Sequence, residues 1–432
     1  MTPERLFHEL LGLGNEWEVV RCWFDEGEGV VLEVRERPGL WEKVRSEAGA
    51  RAGCHDHVEM MEWRHLNVFE HRCTIRCRLP RGKCSKTGSV FRVTPPWEGL
   101  SKHFTCAFEA MALLLMRDMA MSRVAEAVGE TDTRLWRMLH AYVRREYPRL
   151  DFSNVTCVGC DEMSVRRGHR YVTVFCDMIG KRVLFACEGK DAATWDAFAS
   201  ELGQHNGHPK AITQASVDMS AAYVKGVREN CANATVVFDK FHVVALANKA
   251  LGAVRKREAA ADSALARALL PGSQWLWRKN PENWNDADWQ RYETIQPQLA
   301  YLHTGQAYDI RLSLQHLYAT AKDAPEALRG LKRLIARGRK LVEAARGGIL
   351  APLGTLLDTL EKLSPGIAAH WTHRLTNAFL EGLNSVWSAV KRRARGYRNT
   401  ANLITMLYFT HARLPAPTPN RLHPHYDPAL SH

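Results

Sequence analysis

The spacing of apolar residues near the N-terminus is typical of β-strands. Residues 17–24 and 29–35 are short apolar runs rich in valine and aromatic residues, and the intervening Asp25-Glu-Gly-Glu-Gly29 is rich in turn-forming residues. Two such stretches around a glycine-containing turn predict a β-hairpin. We expect the hairpin to belong to a small β module within residues 1–100, with a core that includes Trp63, Leu66 and Phe69.

Residues 104–147 change to helical spacing and predict three helices, over 105–116, 122–129 and 132–145. Ser122 is the expected N-cap of the second helix, and Thr131 or Asp132 is the expected N-cap of the third. A tight turn at Gly129 between them gives the layout of a helix-turn-helix. Arg134 and Arg137, on the leading turns of the third helix, are the candidate DNA contacts. The alternative is a plain three-helix packing unit.

From residue 155 the pattern alternates between short apolar runs and helical stretches. The runs predict strands at 155–160, 171–176, 182–187, 211–217 and 235–238, with helices at 192–202 and 221–229. Three strands followed by alternating helices and strands predict a mixed sheet with helices on its faces. A long helical stretch then runs from 243 to 363, and we expect its Trp-rich part, residues 275–289, to be core rather than a surface for DNA bases.

Composition narrows the class of protein. Of the 432 residues, 46% are hydrophobic, which is typical of a globular chain, and the net charge of +12 favours a polyanion such as nucleic acid. Eleven scattered cysteines, an odd number, favour reduced thiols in a cytoplasmic protein. No apolar run reaches the roughly 18 residues that span a bilayer, so we expect no membrane partner.

Three acidic residues are candidates for chemistry. Asp161 and Asp218 end apolar β-type runs, and Glu381 lies in a predicted helix. Carboxylates are the ligands that Mg²⁺ prefers, and two such ions can catalyse phosphodiester chemistry. Taken singly, an aspartate after a strand is more often a helix cap or a turn residue.

The residues around these acids form recognisable motifs. They are Cys160-Asp161-Glu162, Val217-Asp218-Met219-Ser220, Asp239-Lys-Phe-His242, and the segment from Arg374 through Glu381 to Asn399. In this order they resemble the ISL-three family of insertion-sequence transposases, from about Trp63 to His411. The resemblance implies an RNase H-like catalytic core with an α-helical insertion, acting on DNA with Mg²⁺ or Mn²⁺.

The resemblance also implies residue roles. Asp161, Asp218 and Glu381 would be the catalytic, metal-binding acids, because the strands that carry the two aspartates are neighbours in such a core. Asp239 is the rival for the second acid. Glu162 is left out because adjacent residues of a strand point to opposite faces. The supporting residues would be Asp239, His242, Asn377 and Asn384.

A basic run follows Glu381 and could neutralise DNA phosphates. The candidates for phosphate contacts are Arg374, which precedes Glu381, and the residues of the run, Lys391, Arg392, Arg393, Arg395 and Arg398. A solvated surface helix is the alternative, although charges this close repel one another without a polyanion.

Members of the family usually carry a zinc module with paired Cys-x-x-Cys ligands, and this chain departs from that pattern. The first pair is missing, and Thr87 stands where a ligand is expected. The remaining candidates are irregularly spaced: Cys54, His57, Cys73, Cys77 and Cys84. Structural zinc requires four ligands, so we expect a degenerate module without stoichiometric zinc.

Together these observations predict a mixed α+β chain in five segments: a β module (1–100), a helix-turn-helix domain (101–150), the first part of an RNase H-like core (151–242), an all-α insertion (243–368), and the C-terminal part of the core with a basic tail (369–432). The predicted function is transposition: binding of terminal inverted repeats, metal-dependent cleavage and strand transfer to target DNA by a homo-oligomer. The alternatives are a domesticated DNA-binding regulator and a structure-specific nuclease.

Overall fold

The computed structural model describes residues 1–47, 49–166, 170–261, 263–345, 348–373, 378–394, 396–397 and 399–425. Contacts divide the chain into two units, one of residues 1–150 with 389–432 and the other of residues 151–388. Within the described residues, every helix is too short or too polar to cross a membrane.

The first unit begins with a β module. Its elements are α1 (Pro3–Leu10), β1 (Trp17–Asp25), β2 (Gly29–Glu36), α2 (Leu40–Lys43), β3 (Ala52–His57), β4 (Met61–Val68), β5 (His71–Cys77), β6 (Pro80–Cys84) and β7 (Val90–Arg92). They form two sheets, with strand orders β1-β2-β5-β4 and β3-β6-β7. Strands β1 and β2 pair antiparallel, so the predicted hairpin is confirmed.

The core of this module is aromatic. The rings of Trp17 and Trp63 lie 5.1 and 5.9 Å from that of Trp97, in edge-on contacts. Cys73, Ile75 and Cys77 alternate along β5 and are fully buried in the same core. The expectation for Phe69 is wrong: it is 90% exposed, because it occupies the turn between β4 and β5 with a φ of 55°.

Three helices follow, as predicted: α3 (Cys106–Asp118), α4 (Met121–Val128) and α5 (Asp132–Glu146). Gly129 ends α4 in the left-handed conformation, with a φ of 67°, and Thr131 caps α5 by accepting a hydrogen bond from the Arg134 backbone. The capping prediction for Ser122 is wrong. Helix α4 begins one residue earlier, at Met121, and its N-cap position is occupied by Ala120.

The second unit is built around a five-stranded sheet. Its strands are β8 (Cys157–Arg166), β9 (Arg170–Asp177), β10 (Arg182–Glu188), β11 (Gln214–Val217) and β12 (Thr235–Phe238), and its first helices are α6 (Ala193–Gln204) and α7 (Ala221–Asn230). All five strands were predicted, although β8 extends to Arg166 because it pairs with β9 along that length. The order is β10-β9-β8-β11-β12, with β8, β11 and β12 mutually parallel.

The rest of the described chain is helical. The helices are α8 (Lys240–Ala260), α9 (Ala264–Leu269), α10 (Asp286–Ile295), α11 (His303–Thr320), α12 (Ala324–Ala344), α13 (Ala351–Lys362), α14 (Ser364–His373), α15 (Ala378–Arg393), α16 (Thr400–His411) and α17 (Pro419–Leu422). The tryptophans of residues 275–289 were expected in the core, and this is confirmed for two of the four. Trp277 and Trp284 are buried, but Trp275 and Trp289 are 64% and 44% exposed.

Helix α14 returns the chain to the sheet. A Cβ added at Gly366 would lie 2.5 Å from the Phe238 ring and 3.2 Å from the Val236 carbonyl oxygen. Only glycine therefore allows α14 to pack this closely on β12.

Candidate active site

Three aspartates meet at one edge of the second unit's sheet. In the parallel pair of β8 and β11, Gly159 lies opposite Ser216, so Asp161 and Asp218 each stand two residues further along adjacent strands. In the pair of β11 and β12, Val217 lies opposite Phe238, and Asp218 and Asp239 are the next residues. Because parallel strands point the same way, the three carboxylates lie at the same edge of the sheet.

His242 lies between two of these carboxylates. Its Nε2 atom is 3.9 Å from Oδ1 of Asp161 and 4.0 Å from Oδ2 of Asp239. The side chains of Asp161, Asp239 and His242 are 17%, 11% and 33% exposed, so the imidazole is the most accessible of the three. The site is therefore partly desolvated and open on the side of His242.

Backbone N–H groups hold the aspartates in place. Oδ1 of Asp239 accepts from Phe241 N at 2.8 Å and caps α8, and Oδ1 of Asp218 accepts from Ser220 N at 2.9 Å just before α7. The capping role is thus real for Asp239. The capping hydrogen bond leaves the carboxylate able to accept further bonds or to bind a metal, because a carboxylate has two oxygens and about four lone-pair directions.

Glu162 points away from Asp161, as the alternation of a strand requires. Its carboxylate is hydrogen-bonded to the hydroxyl of Tyr223, which lies 2.9 Å from Oγ1 of Thr173. Burial raises the pKa of Glu162, and the negative charge of Asp218 raises it further. Tyr223 and Thr173 thus form a buried polar contact next to Glu162.

A second group of side chains lies beside Asp239, and no motif in the sequence indicated it. Tyr318 is 7% exposed, its ring centre lies 5.6 Å from Nζ of Lys240, and it stacks on Trp371 at 4.8 Å. Burial raises the pKa of Tyr318, and the charge of Asp239 adds to that effect. Burial, followed by the charge of Lys240, lowers the pKa of His370. Helical spacing alone indicated only core for Tyr318 and His370.

The predicted residues near the third acid are described in part. Helix α15 contains Glu381, Asn384 and Arg393, but their side chains lie outside the described part of the structure. Arg374, Asn377, Arg395 and Arg398 lie outside the described residues altogether. Lys391 is half-buried and Arg392 is exposed near the end of α15. Of the predicted site residues, the described side chains that come together are Asp161, Asp218, Asp239 and His242.

In the first unit, the two candidate arginines of α5 differ in their surroundings. Arg134 forms an ion pair with Glu130, whose side chain is 3% exposed, and its guanidinium lies 4.3 Å from the ring of Phe104. Arg72 also pairs with Glu130, at 3.0 Å. Arg137 is exposed. Arg134 therefore helps to fix the turn between α4 and α5, and Arg137 faces solvent.

Two of the five candidate zinc ligands come together in the β module. Ligand atoms of Cys54 and His57 lie with a carboxylate oxygen of Glu36 within 4.8 Å of one another, and Nε2 of His57 is 2.5 Å from Oε1 of Glu36. Cys73 and Cys77 belong to the hydrophobic core, and Cys84 is buried. The spacing of the cysteines did not indicate that Glu36 would join this cluster.

Known proteins resemble this chain over most of its length. A family model described as "Transposase" matches residues 158–407, and one for the helix-turn-helix domain of transposase family ISL3 matches residues 101–143. The chain is 26% identical to the transposase for insertion sequence element IS1001 of Bordetella parapertussis, over 92% of this chain and 95% of that one. It is 27% identical to the transposase for insertion sequence element IS1557 of Mycobacterium tuberculosis, over the full length of both.

Proposed function

Because a transposase family model matches more than half of it, the chain belongs to the ISL-three (ISL3) family of transposases, and we propose that Asp161, Asp218 and Glu381 are its catalytic acids in an RNase H-like core. The observation that carries this assignment is the parallel pairing of β8 with β11, with Gly159 opposite Ser216. It brings two acids from distant segments to adjacent positions at one edge of the sheet. Glu381 is assigned from the family resemblance and from its place in α15.

The donor set fits hard divalent cations. Asp161, Asp218 and Asp239 offer carboxylate oxygens at one sheet edge, and Mg²⁺ prefers oxygen ligands and retains several waters. Mg²⁺ or Mn²⁺ bound there would help to activate a water or a 3′-hydroxyl and to stabilise the leaving oxygen. The backbone N–H groups of Ser220 and Phe241 fix the aspartates before any ligand binds.

The remaining polar residues position the reacting groups. His242 is 33% exposed and its Nε2 lies 3.9 and 4.0 Å from two carboxylates, so it can donate a hydrogen bond to a phosphate oxygen of the strand to be cut. Asp239 orients His242 and caps α8. From the family resemblance and their spacing of four and three residues from Glu381 in the sequence, we assign Asn377 and Asn384 to the orientation of Glu381.

DNA recognition is divided between two sets of residues in this proposal. The helix-turn-helix region binds the terminal inverted repeats, with Arg137 contacting a base edge and Arg134 fixing the helix that carries it. Arg374, Lys391, Arg392, Arg393, Arg395 and Arg398 neutralise phosphates near the cut. Two ends must be held together for transposition, so the active form is a homo-oligomer on DNA.

The experiment that tests this function uses the terminal DNA of the element that encodes the chain. The purified protein, with Mg²⁺, should cut this DNA at the element ends and should leave unrelated DNA uncut. With ends already cut, it should join 3′-hydroxyls to a target duplex. Cleavage without joining would indicate a structure-specific nuclease, and binding without cleavage would indicate a domesticated regulator.

A further inference from the structure

One face of α8 leads away from the aspartate cluster. His242, Ala245, Lys249, Gly252 and Lys256 follow one another at three- and four-residue intervals, so they lie on the same side of the helix. None of the five is buried. Because a helix rises about 1.5 Å per residue, Lys256 lies about 21 Å from His242 along the helix axis. The face therefore begins at the proposed active site and extends well beyond it.

A groove of about 560 Å³ lies along this face, between α8 and residues 274–278. Four cationic side chains line it: Lys249, Arg255, Lys256 and Arg278. Its described lining includes no carboxylate. Small residues, Ala245, Gly252 and Ala253, keep it open, and a Cβ added at Gly252 would meet nothing within 4 Å.

Two of the four positive charges of the groove are held in place by contacts, and the acid of α8 does not neutralise them. Arg255 donates to the Leu270 carbonyl at 3.3 Å, and the guanidinium of Arg278 lies 5.4 Å from the ring of Trp275. Glu258 is buried and turned to α11, where it accepts from the backbone N–H groups of His303 and Thr304, both at 2.7 Å. Four cations that share one groove repel one another unless a polyanion lies between them.

We propose that this groove binds the sugar–phosphate backbone of duplex DNA that flanks the cut. The position of the DNA relative to the cut rests on the proposed function, whereas the binding itself does not. The charges are complementary, and the groove is continuous with the face that carries His242. Contacts of this kind are to phosphates, so they add affinity without reading sequence.

The test is the salt dependence of DNA binding by the full-length protein, measured without divalent metal so that no cleavage is needed. The probe is a fluorescently labelled DNA duplex of mixed sequence, and its Kd is measured by anisotropy over a series of KCl concentrations. The double variant Lys249→Ala, Lys256→Ala should reduce the slope of log K against log salt by about 1.8, because each lost phosphate contact removes about 0.9. An unchanged slope would overturn the proposal.

A matched control removes the same charge elsewhere. Lys332 and Lys340 are exposed on α12 and do not line the groove, so Lys332→Ala with Lys340→Ala should leave the slope at its original value. If this pair reduces the slope equally, the effect is one of net charge and the groove carries no DNA.

A second pair of variants keeps the lysines. Gly252→Glu places a negative charge on the open floor of the groove, and Gly252→Gln adds nearly the same volume without the charge. The Glu variant should bind the duplex several-fold more weakly than the Gln variant, with equal melting temperatures for the two. Equal affinities would contradict the proposal. Because all these readouts are binding constants, a protein that never cuts DNA would refute the proposed function and leave this test intact.

Discussion

Nε2 of His242, on α8, lies 3.9 Å from Oδ1 of Asp161, on β8. The contact joins the start of the helical segment to the centre of the sheet, and the same imidazole lies 4.0 Å from Asp239. Asp161 and Asp239 therefore share a partner although they come from different strands. A substitution at either carboxylate should therefore change the surroundings of His242. Mutagenesis is needed to decide whether Asp218 or Asp239 is the second catalytic acid.

We expect Asp161→Asn, Asp218→Asn and Glu381→Gln each to abolish DNA cleavage and to leave DNA binding close to that of the unchanged protein. Each substitution removes one negative ligand and nearly preserves the size of the side chain. Cleavage of terminal DNA in Mg²⁺ is the measurement, with anisotropy on the same DNA as the control for binding.

Asp239→Asn should retain part of the cleavage activity. Asparagine is as good an N-cap as aspartate, so α8 keeps its cap and His242 keeps its place. If Asp218→Asn cleaves normally and Asp239→Asn does not, the second catalytic acid is Asp239.

The two arginines of α5 should differ in their effect. Arg137→Ala should weaken binding to terminal DNA by about 1–3 kcal/mol, the usual value of a contact to a base edge, without changing the melting temperature. Arg134→Ala should also lower the melting temperature, because it leaves the buried carboxylate of Glu130 with fewer cationic partners. Arg144→Ala, an exposed change later on α5, is the matched control. Equal loss for terminal and unrelated DNA would show that Arg137 contacts only phosphate.

We predict that the purified protein carries less than one zinc per chain and that a chelator leaves its melting temperature unchanged. Cys73 and Cys77 are buried in the core, and among the residues that the structure describes only Glu36, Cys54 and His57 converge, one fewer than the four ligands of a structural site. Elemental analysis and calorimetry provide the measurements. One tightly held zinc, lost in Cys54→Ser together with the stability of the module, would contradict this prediction.

Glu109, on α3, should make the stability of the first unit dependent on pH. The side chain is fully buried and accepts hydrogen bonds from Leu100 N and Ser101 N at 2.8 and 2.7 Å. Burial raises its pKa from 4.5 to about 7. The folded chain therefore holds this proton more tightly than the unfolded chain. The resulting stabilisation is complete below about pH 4.5 and is lost as the pH rises to about 7; it amounts to roughly 3 kcal/mol.

The comparison with Glu109→Gln isolates this effect. The stability of the original protein minus that of the variant should fall between about pH 4.5 and 7 and stay level above that range. The subtraction is needed because burial lowers the pKa of His65 to about 4. The folded chain holds that proton less tightly than the unfolded chain, so His65 makes the stability rise with pH where Glu109 makes it fall. A difference that does not change with pH would show that Glu109 titrates normally.

The strands of the second unit were predicted well because each is a short apolar run bounded by turn residues. Strand β8 was predicted too short, since Asp161 and Glu162 look like the end of a strand by composition. Pairing with β9, in which Asp161 lies opposite Val174, carries the strand past them. The cap of α4 was missed because Ser122 has the right chemistry, whereas the chain turns at Ala120.

The site residues that stand in local sequence motifs could be predicted from the sequence. Asp161, Asp218, Asp239 and His242 stand in local patterns, and the sheet brings them together. Tyr318 and His370 approach Asp239 from helices far along the chain, and no local pattern records a packing contact of that kind. Likewise, the pairing of Arg134 with Glu130 depends on burial of the turn, and burial is decided by tertiary packing.

The close packing of α14 on β12 at Gly366 has an evolutionary consequence. Helix α8 leaves the sheet directly after β12, and α14 comes back to that same strand. A segment whose two ends are anchored at one place can gain or lose residues at small cost, because the entropy of closing a loop grows only with the logarithm of its length. Relatives can therefore differ widely in the number of residues between these anchors, while position 366 tolerates no side chain.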